Sequence, residues 1–151
     1  MFRIHITTPR VTSEDGWPHA GGVLVVGLER LVFLVDLAHW REVDYERQWK
    51  MGVRRLVQGA PSTALVTAYR GSTGAPHVMW ALWRSDTHVY VQEQMVLPAE
   101  LESAFDPREP YAHVGARVPA TEHRLPIPEW RVELVPFHAG ALGLRWPAYP
   151  F

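Results

Sequence analysis

The spacing of apolar residues changes period along this chain. Phe2 to Ile6 alternates apolar and polar positions, the pattern of a strand with one covered face. Val23 to Val26 and Leu31 to Val35 are rich in β-branched and aliphatic residues and predict two more strands, with Gly27 as a bulge or turn between them. Leu31, Leu34 and Val35 also have helical spacing, which leaves a helix open for that second run. From Tyr45 the period lengthens. Tyr45, Trp49, Val53, Leu56 and Val57 share one face of an α-helix over about residues 41–58. Glu42, Asp44 and Glu46 stand in its first turns and Lys50, Arg54 and Arg55 in its last, the order that suits the helix dipole. Glu46 and Lys50, four apart, add about 0.2–0.5 kcal/mol. Gly59 is placed to take a left-handed cap, and Pro61 stops the helix. Tyr45 and Trp49 lie on the apolar stripe, so they read as rings docked in a core.

Three strands are expected next. They are "STALVTAYR", then "HVMWALWRS" after the turn Gly71 to Pro76, then "HVYVQEQMVL" after the turn Asp86–Thr87. His77 to Arg84 is apolar at nearly every position and reads as a central strand covered on both faces. "PAELESAFDP" predicts a helical turn and "YAHVGARVP" a short strand. "EWRVELV" predicts a last strand with Trp130, Val132 and Leu134 inward. "PFHAGALGL" predicts a short C-terminal helix with Pro136 in its first turn. "TTPRVTSEDGWPHAGG" reads as a loop, and the C-terminal third is rich in proline. A helix followed by strands, without regular alternation, is α+β. The expectation is one domain over residues 1–151. It holds an antiparallel sheet of about five or six strands, one long helix packed on one face and a short C-terminal helix.

Composition limits the chemistry. The chain has 151 residues, 47% of them apolar, with a formal net charge of −1. That describes a folded protein without the basic field that recruits nucleic acid or an anionic membrane. Cysteine is absent, which excludes thiolate catalysis and disulfides. The N-terminus does not read as a signal peptide, and Glu29, Arg30 and Asp36 break the most apolar run, so a cytoplasmic protein is expected. Eight histidines form neither HExxH nor a pair four residues apart. "GSTGAP" lacks the Gly-Lys-Ser/Thr ending of a phosphate loop, and Ser62 and Ser72 lie in no nucleophile motif. Arg47, Arg54 and Arg55 share their helix with three acids and read as a solvated face. The enzymatic alternative is a small metal-dependent or acid–base hydrolase using some of the histidines with Glu93 or Glu129. No cofactor is implied.

Taken in order, "VVGLERLVFLVDLAHW", "VDYERQWKMGVRRLVQG", "STALVTAY", "HVMWALWRSDTHVYVQEQMV" and "PEWRV" resemble the immunity proteins of bacterial contact-dependent growth inhibition systems (CdiI-type). The likeness runs from Val23 to Val135. It implies a non-enzymatic protein that binds the toxic C-terminal domain of a cognate delivered toxin, often a nuclease, and blocks it. It implies no direct contact with nucleic acid or membrane. Inhibition by occupation needs an interface of about 800 Å² per partner, dominated by a few anchors. Against the basic groove of a nuclease, carboxylates mimic phosphates. The candidates are Asp86, Glu93, Glu100, Glu102 and Asp106, flanked by Trp83, Tyr90 and Gln92.

Overall fold

A computed structural model describes residues 1–118, 126–134 and 137. Among the described residues, eight strands and one long helix follow in the order β1 (Phe2–Ile6), β2 (Val11–Thr12), β3 (Pro18–Val26), β4 (Glu29–Asp36), α1 (Glu42–Val57), β5 (Ser62–Ala68), β6 (His77–Arg84), β7 (His88–Val96) and β8 (Trp130–Glu133). The class is α+β, every strand pairing is antiparallel, and the long helix stands within a residue of its expected bounds.

The strands make two four-stranded sheets where one sheet was expected. In the first, β3 is central. β4 pairs along one side of it, and β1 and β2 lie in succession along the other. The second runs β5-β6-β7-β8, with the apolar β6 inside it as its composition predicts. The first sheet is larger than expected because β3 begins at Pro18, inside the stretch that reads as a loop. A proline at the first position of a strand is tolerated there. Gly22 sits mid-strand because its neighbour fills the space of a side chain: a Cβ there would stand 2.5 Å from the Phe33 ring. Gly27 takes the positive φ of 63° that the tight β3–β4 turn requires.

One core joins both sheets and the helix. Phe2, Leu24 and Phe33 enter from the first sheet, Leu65, Trp80, Val91 and Val132 from the second, and Tyr45, Trp49, Val53 and Leu56 from α1. Both Tyr45 and Trp49 are fully buried. The helix also hydrogen-bonds the edge strand β5. Gln48 Nε2 donates to the Ala64 carbonyl (2.8 Å), Val66 N–H donates to Gln48 Oε1 (2.7 Å), and Trp49 Nε1–H donates to the Val66 carbonyl (2.6 Å). The Tyr45 hydroxyl donates to the Asp36 carbonyl and accepts from Tyr69 N–H. Gly52 permits this approach, since a Cβ there would lie 2.9 Å from the Ala64 carbonyl oxygen. At the far end Gly59, with φ 106°, and Ala60 donate to the carbonyls of Leu56 and Arg55, which closes the helix as expected.

The proline-rich stretch after β7 lies over the outer face of the second sheet. It holds two 3-10 turns, Pro98–Glu100 and Pro110–His113. The first is the expected helical turn. The second replaces the strand expected in "YAHVGARVP", and none forms over residues 114–118. Leu101, Phe105 and Val114 pack on Ala64, Met79 and Val96 in a small second core. Trp83 Nε1–H and Gln92 Nε2–H donate to the carbonyls of Gly115 and Val118, so side chains of the sheet hold the covering segment in place of a ladder. Of "PFHAGALGL", Phe137 alone is described, its ring 4.7 Å from that of Phe2. The expected C-terminal helix and the tail "RWPAYPF" otherwise lie outside the described residues.

Candidate partner-binding surface

The fold separates the eight residues expected to face a partner. Trp83 is 8% exposed and Gln92 2%, both beneath the 97–118 segment, so neither presents a side chain to a partner. This corrects the expectation that they flank the acids. Strand alternation places them on the face away from the main core, and the covering segment turns that face into an interior. Tyr90 is half-buried, with the Arg117 guanidinium 3.8 Å from its ring centre. Asp86, Glu93, Glu100, Glu102 and Asp106 are exposed. They do not form one patch. Asp86 lies in the β6–β7 turn, and the segment bearing Glu100, Glu102 and Asp106 leaves β7 at its opposite end. A nine-residue strand spans roughly 30 Å.

What converges beside Tyr90 is a polar cluster. Gln92 Nε2–H donates to Glu129 Oε2 (2.7 Å), Arg117 Nε–H donates to the same oxygen (2.7 Å), and Arg117 Nη2–H donates to Glu129 Oε1. Arg117, then Gln92, hold the Glu129 carboxyl below its ordinary value of 4.5 against the opposing effect of burial. A depressed carboxyl contributes stability above pH 4.5 and loses it as pH falls through the folded value. Glu129→Gln is therefore expected to melt slightly lower than the parent at neutral pH, by about 1 kcal/mol or less given the exposure of Arg117. In strong acid the two melting curves should coincide. Thermal melts at both pH values check this.

The described histidines do not assemble a metal centre. Among the described residues, no group of three His, Asp or Glu side chains is placed to hold a metal ion. His39 and His77 line a cavity of about 480 Å³, and His113 lies near enough to act electrostatically on His77. His77 is buried and stacked on Phe105 at 4.3 Å, and its Nδ1 accepts the Arg70 N–H at 3.0 Å. Burial, followed by the positive charges of Arg70, His113 and His39, holds the imidazole below its ordinary value. It is a neutral core histidine with one nitrogen already engaged. Nearby, Arg70 Nε lies 2.7 Å from the buried Asp36 Oδ2, a charge contact in which the N–H does not aim at the oxygen.

A second concave feature escaped sequence reading. A cleft of about 550 Å³ separates the C-terminal half of α1 from the second 3-10 turn, with Arg54, Arg55, Arg108, Glu109, Tyr111 and Met51 among its lining. The Arg55 guanidinium stacks 3.7 Å from the centre of the Tyr111 ring. More than fifty residues separate the two arms of the cleft, so no local pattern announces it.

Comparison with known proteins agrees with this architecture. One chain of the CdiA-CT/CdiI toxin and immunity complex from Enterobacter cloacae has a similar fold, with a TM-score of 0.81 and 21% identity over 95% of this chain and 100% of that one. No curated protein matches. The family described as the CdiI N-terminal domain matches residues 35–138, the stretch that holds α1, the whole second sheet and its covering segment. Because that match spans more than half of its length, the chain belongs to the CdiI N-terminal domain family.

Proposed function

We propose that this chain is an immunity protein that binds the toxic C-terminal domain of a cognate CdiA protein and neutralises it by occupation. Membership of the CdiI N-terminal domain family over residues 35–138 carries the reading. The interior is compatible with it. Glu129, one of the carboxylates of the hydrolase alternative, is engaged by Arg117 and Gln92, and Glu93 stands exposed with no histidine among its β-ladder partners. No described helix is long and apolar enough to cross a membrane.

In this reading the toxin is a nuclease with a basic substrate groove. Glu100, Glu102 and Asp106, exposed on one short segment, lie over that groove as phosphate mimics. Glu93 and Asp86 add charge farther along the sheet.

The full chain, co-expressed with the toxin domain encoded beside it, is expected to restore growth and to co-purify with that domain. Absence of rescue with both proteins soluble overturns the function. Glu100→Lys, Glu102→Lys and Asp106→Lys combined are expected to weaken the complex at least about tenfold, chiefly by removing electrostatic complementarity. An unchanged affinity would remove this segment from the interface and leave the immunity role standing.

A further inference from the structure

We infer that the cleft between α1 and the Pro110–His113 turn is a second contact with the toxin and takes a carboxylate side chain from it; this rests on the immunity role proposed above. The guanidiniums of Arg55 and Arg108 line the cleft against one carboxylate among its described lining residues, that of Glu109. A surplus of positive charge in a concave site selects an anion. Arg55 is held for the task. Its guanidinium is fixed over the Tyr111 ring, which orders its outer N–H groups before a partner arrives, and a carboxylate accepts from such groups in a charge-assisted bond.

The surroundings favour a carboxylate carried on a protein over a free phosphate. The cleft lies at the C-terminal half of α1, where the helix dipole opposes a multiply charged anion. Arg84 Nη1–H and the Gly59–Ala60 cap engage the last carbonyls of α1, and the cleft is lined by side chains of the helix's C-terminal half rather than by the helix N-terminus that a free phosphate favours. Met51, about half exposed, supplies an apolar wall. Arg and Tyr beside an apolar wall are the residue types that anchor protein interfaces.

The test titrates the full chain with the neighbouring toxin domain, comparing wild type with Arg55→Gln/Arg108→Gln. The double variant is expected to bind about 10- to 100-fold more weakly, to show a flatter dependence on salt and to remain folded, with a melting curve shifted only slightly by loss of the Arg55–Tyr111 stack. Arg55→Lys/Arg108→Lys keeps the charge and is expected to retain the salt dependence while losing part of the affinity. If wild type binds and the glutamine variant binds equally well with the same salt dependence, the cleft is not a contact and the immunity role survives. If wild type does not bind at all, both fall. A third arm uses inorganic phosphate alone. Stoichiometric binding of phosphate that the glutamine variant abolishes would make the cleft a free-anion site and overturn the assignment.

Discussion

Replacing Trp49 with alanine is expected to lower the stability of the folded chain by about 3–5 kcal/mol, the usual cost of truncating a buried large aromatic side chain. The ring is fully buried. It meets Phe33 edge to face at 5.9 Å and Tyr45 at 6.3 Å, so alanine opens a cavity at the junction of the helix with the core. The indole N–H also donates to the Val66 carbonyl, and that oxygen loses a partner in the variant. Trp49→Phe separates the two effects. It keeps most of the ring and lacks the donor, and it should fall between wild type and alanine. With seven tryptophans in the chain, fluorescence mixes signals, so denaturant unfolding followed by circular dichroism is the appropriate measurement. Total stability of a domain of this size is about 5–15 kcal/mol, so the alanine variant stands near the edge of folding. A loss below about 1 kcal/mol would mean that the ring does not clamp the helix to the sheets.

The helix was legible because its information is local. Tyr45, Trp49, Val53 and Leu56 repeat at helical spacing, charge runs from acid to base along it, and Gly59 ends it in the left-handed conformation. Hairpins β5–β6 and β6–β7 were legible for the same reason, as short turns between β-branched runs. The separate first sheet was not. Gly21 and Gly22 look like loop residues until Thr8 and Phe33 are seen occupying the space of their missing side chains. Those contacts join residues ten or more apart and leave no periodic trace. Trp83 and Gln92 were misplaced outward by the same blindness. Alternation tells which residues share a face of β6 and β7, but not that an irregular segment rich in proline will cover that face. Arg54 and Arg55 read as a solvated helix surface because Arg108 and Tyr111, which turn that surface into a cleft, arrive from the far side of the second sheet's strands in sequence. Of the expected acids, the structure keeps Glu100, Glu102 and Asp106 together on one exposed segment, since short-range proximity needs no fold to create it.

Gln48 did not belong to the apolar stripe, yet its replacement should be nearly as damaging as that of Trp49. β5 is an edge strand, and an edge leaves backbone groups without a ladder partner. Gln48 supplies the missing partner from the helix: its amide donates to the Ala64 carbonyl and accepts from Val66 N–H, as a neighbouring strand would. Gln48→Ala strands both groups in a buried position. At about 1–3 kcal/mol for each unsatisfied group, the loss is about 2–6 kcal/mol, far more than the few tenths that alanine gains in helix propensity. Gln48→Glu tests the chemistry more sharply. Its carboxylate still accepts from Val66 N–H but sets a second oxygen against the Ala64 carbonyl, whereas the protonated acid has an O–H to donate there. Burial and that contact raise the folded pKa of the new acid above its unfolded value, so its protonated form is the one the fold accepts. The stability deficit of Gln48→Glu should accordingly be largest at neutral pH and shrink as the pH falls toward about 4, because protonation turns the introduced acid into the donor the site needs. Unfolding curves of both variants across that range measure it. A deficit that stays constant with pH would mean that the amide acts through its volume alone, not as the partner of a strand edge.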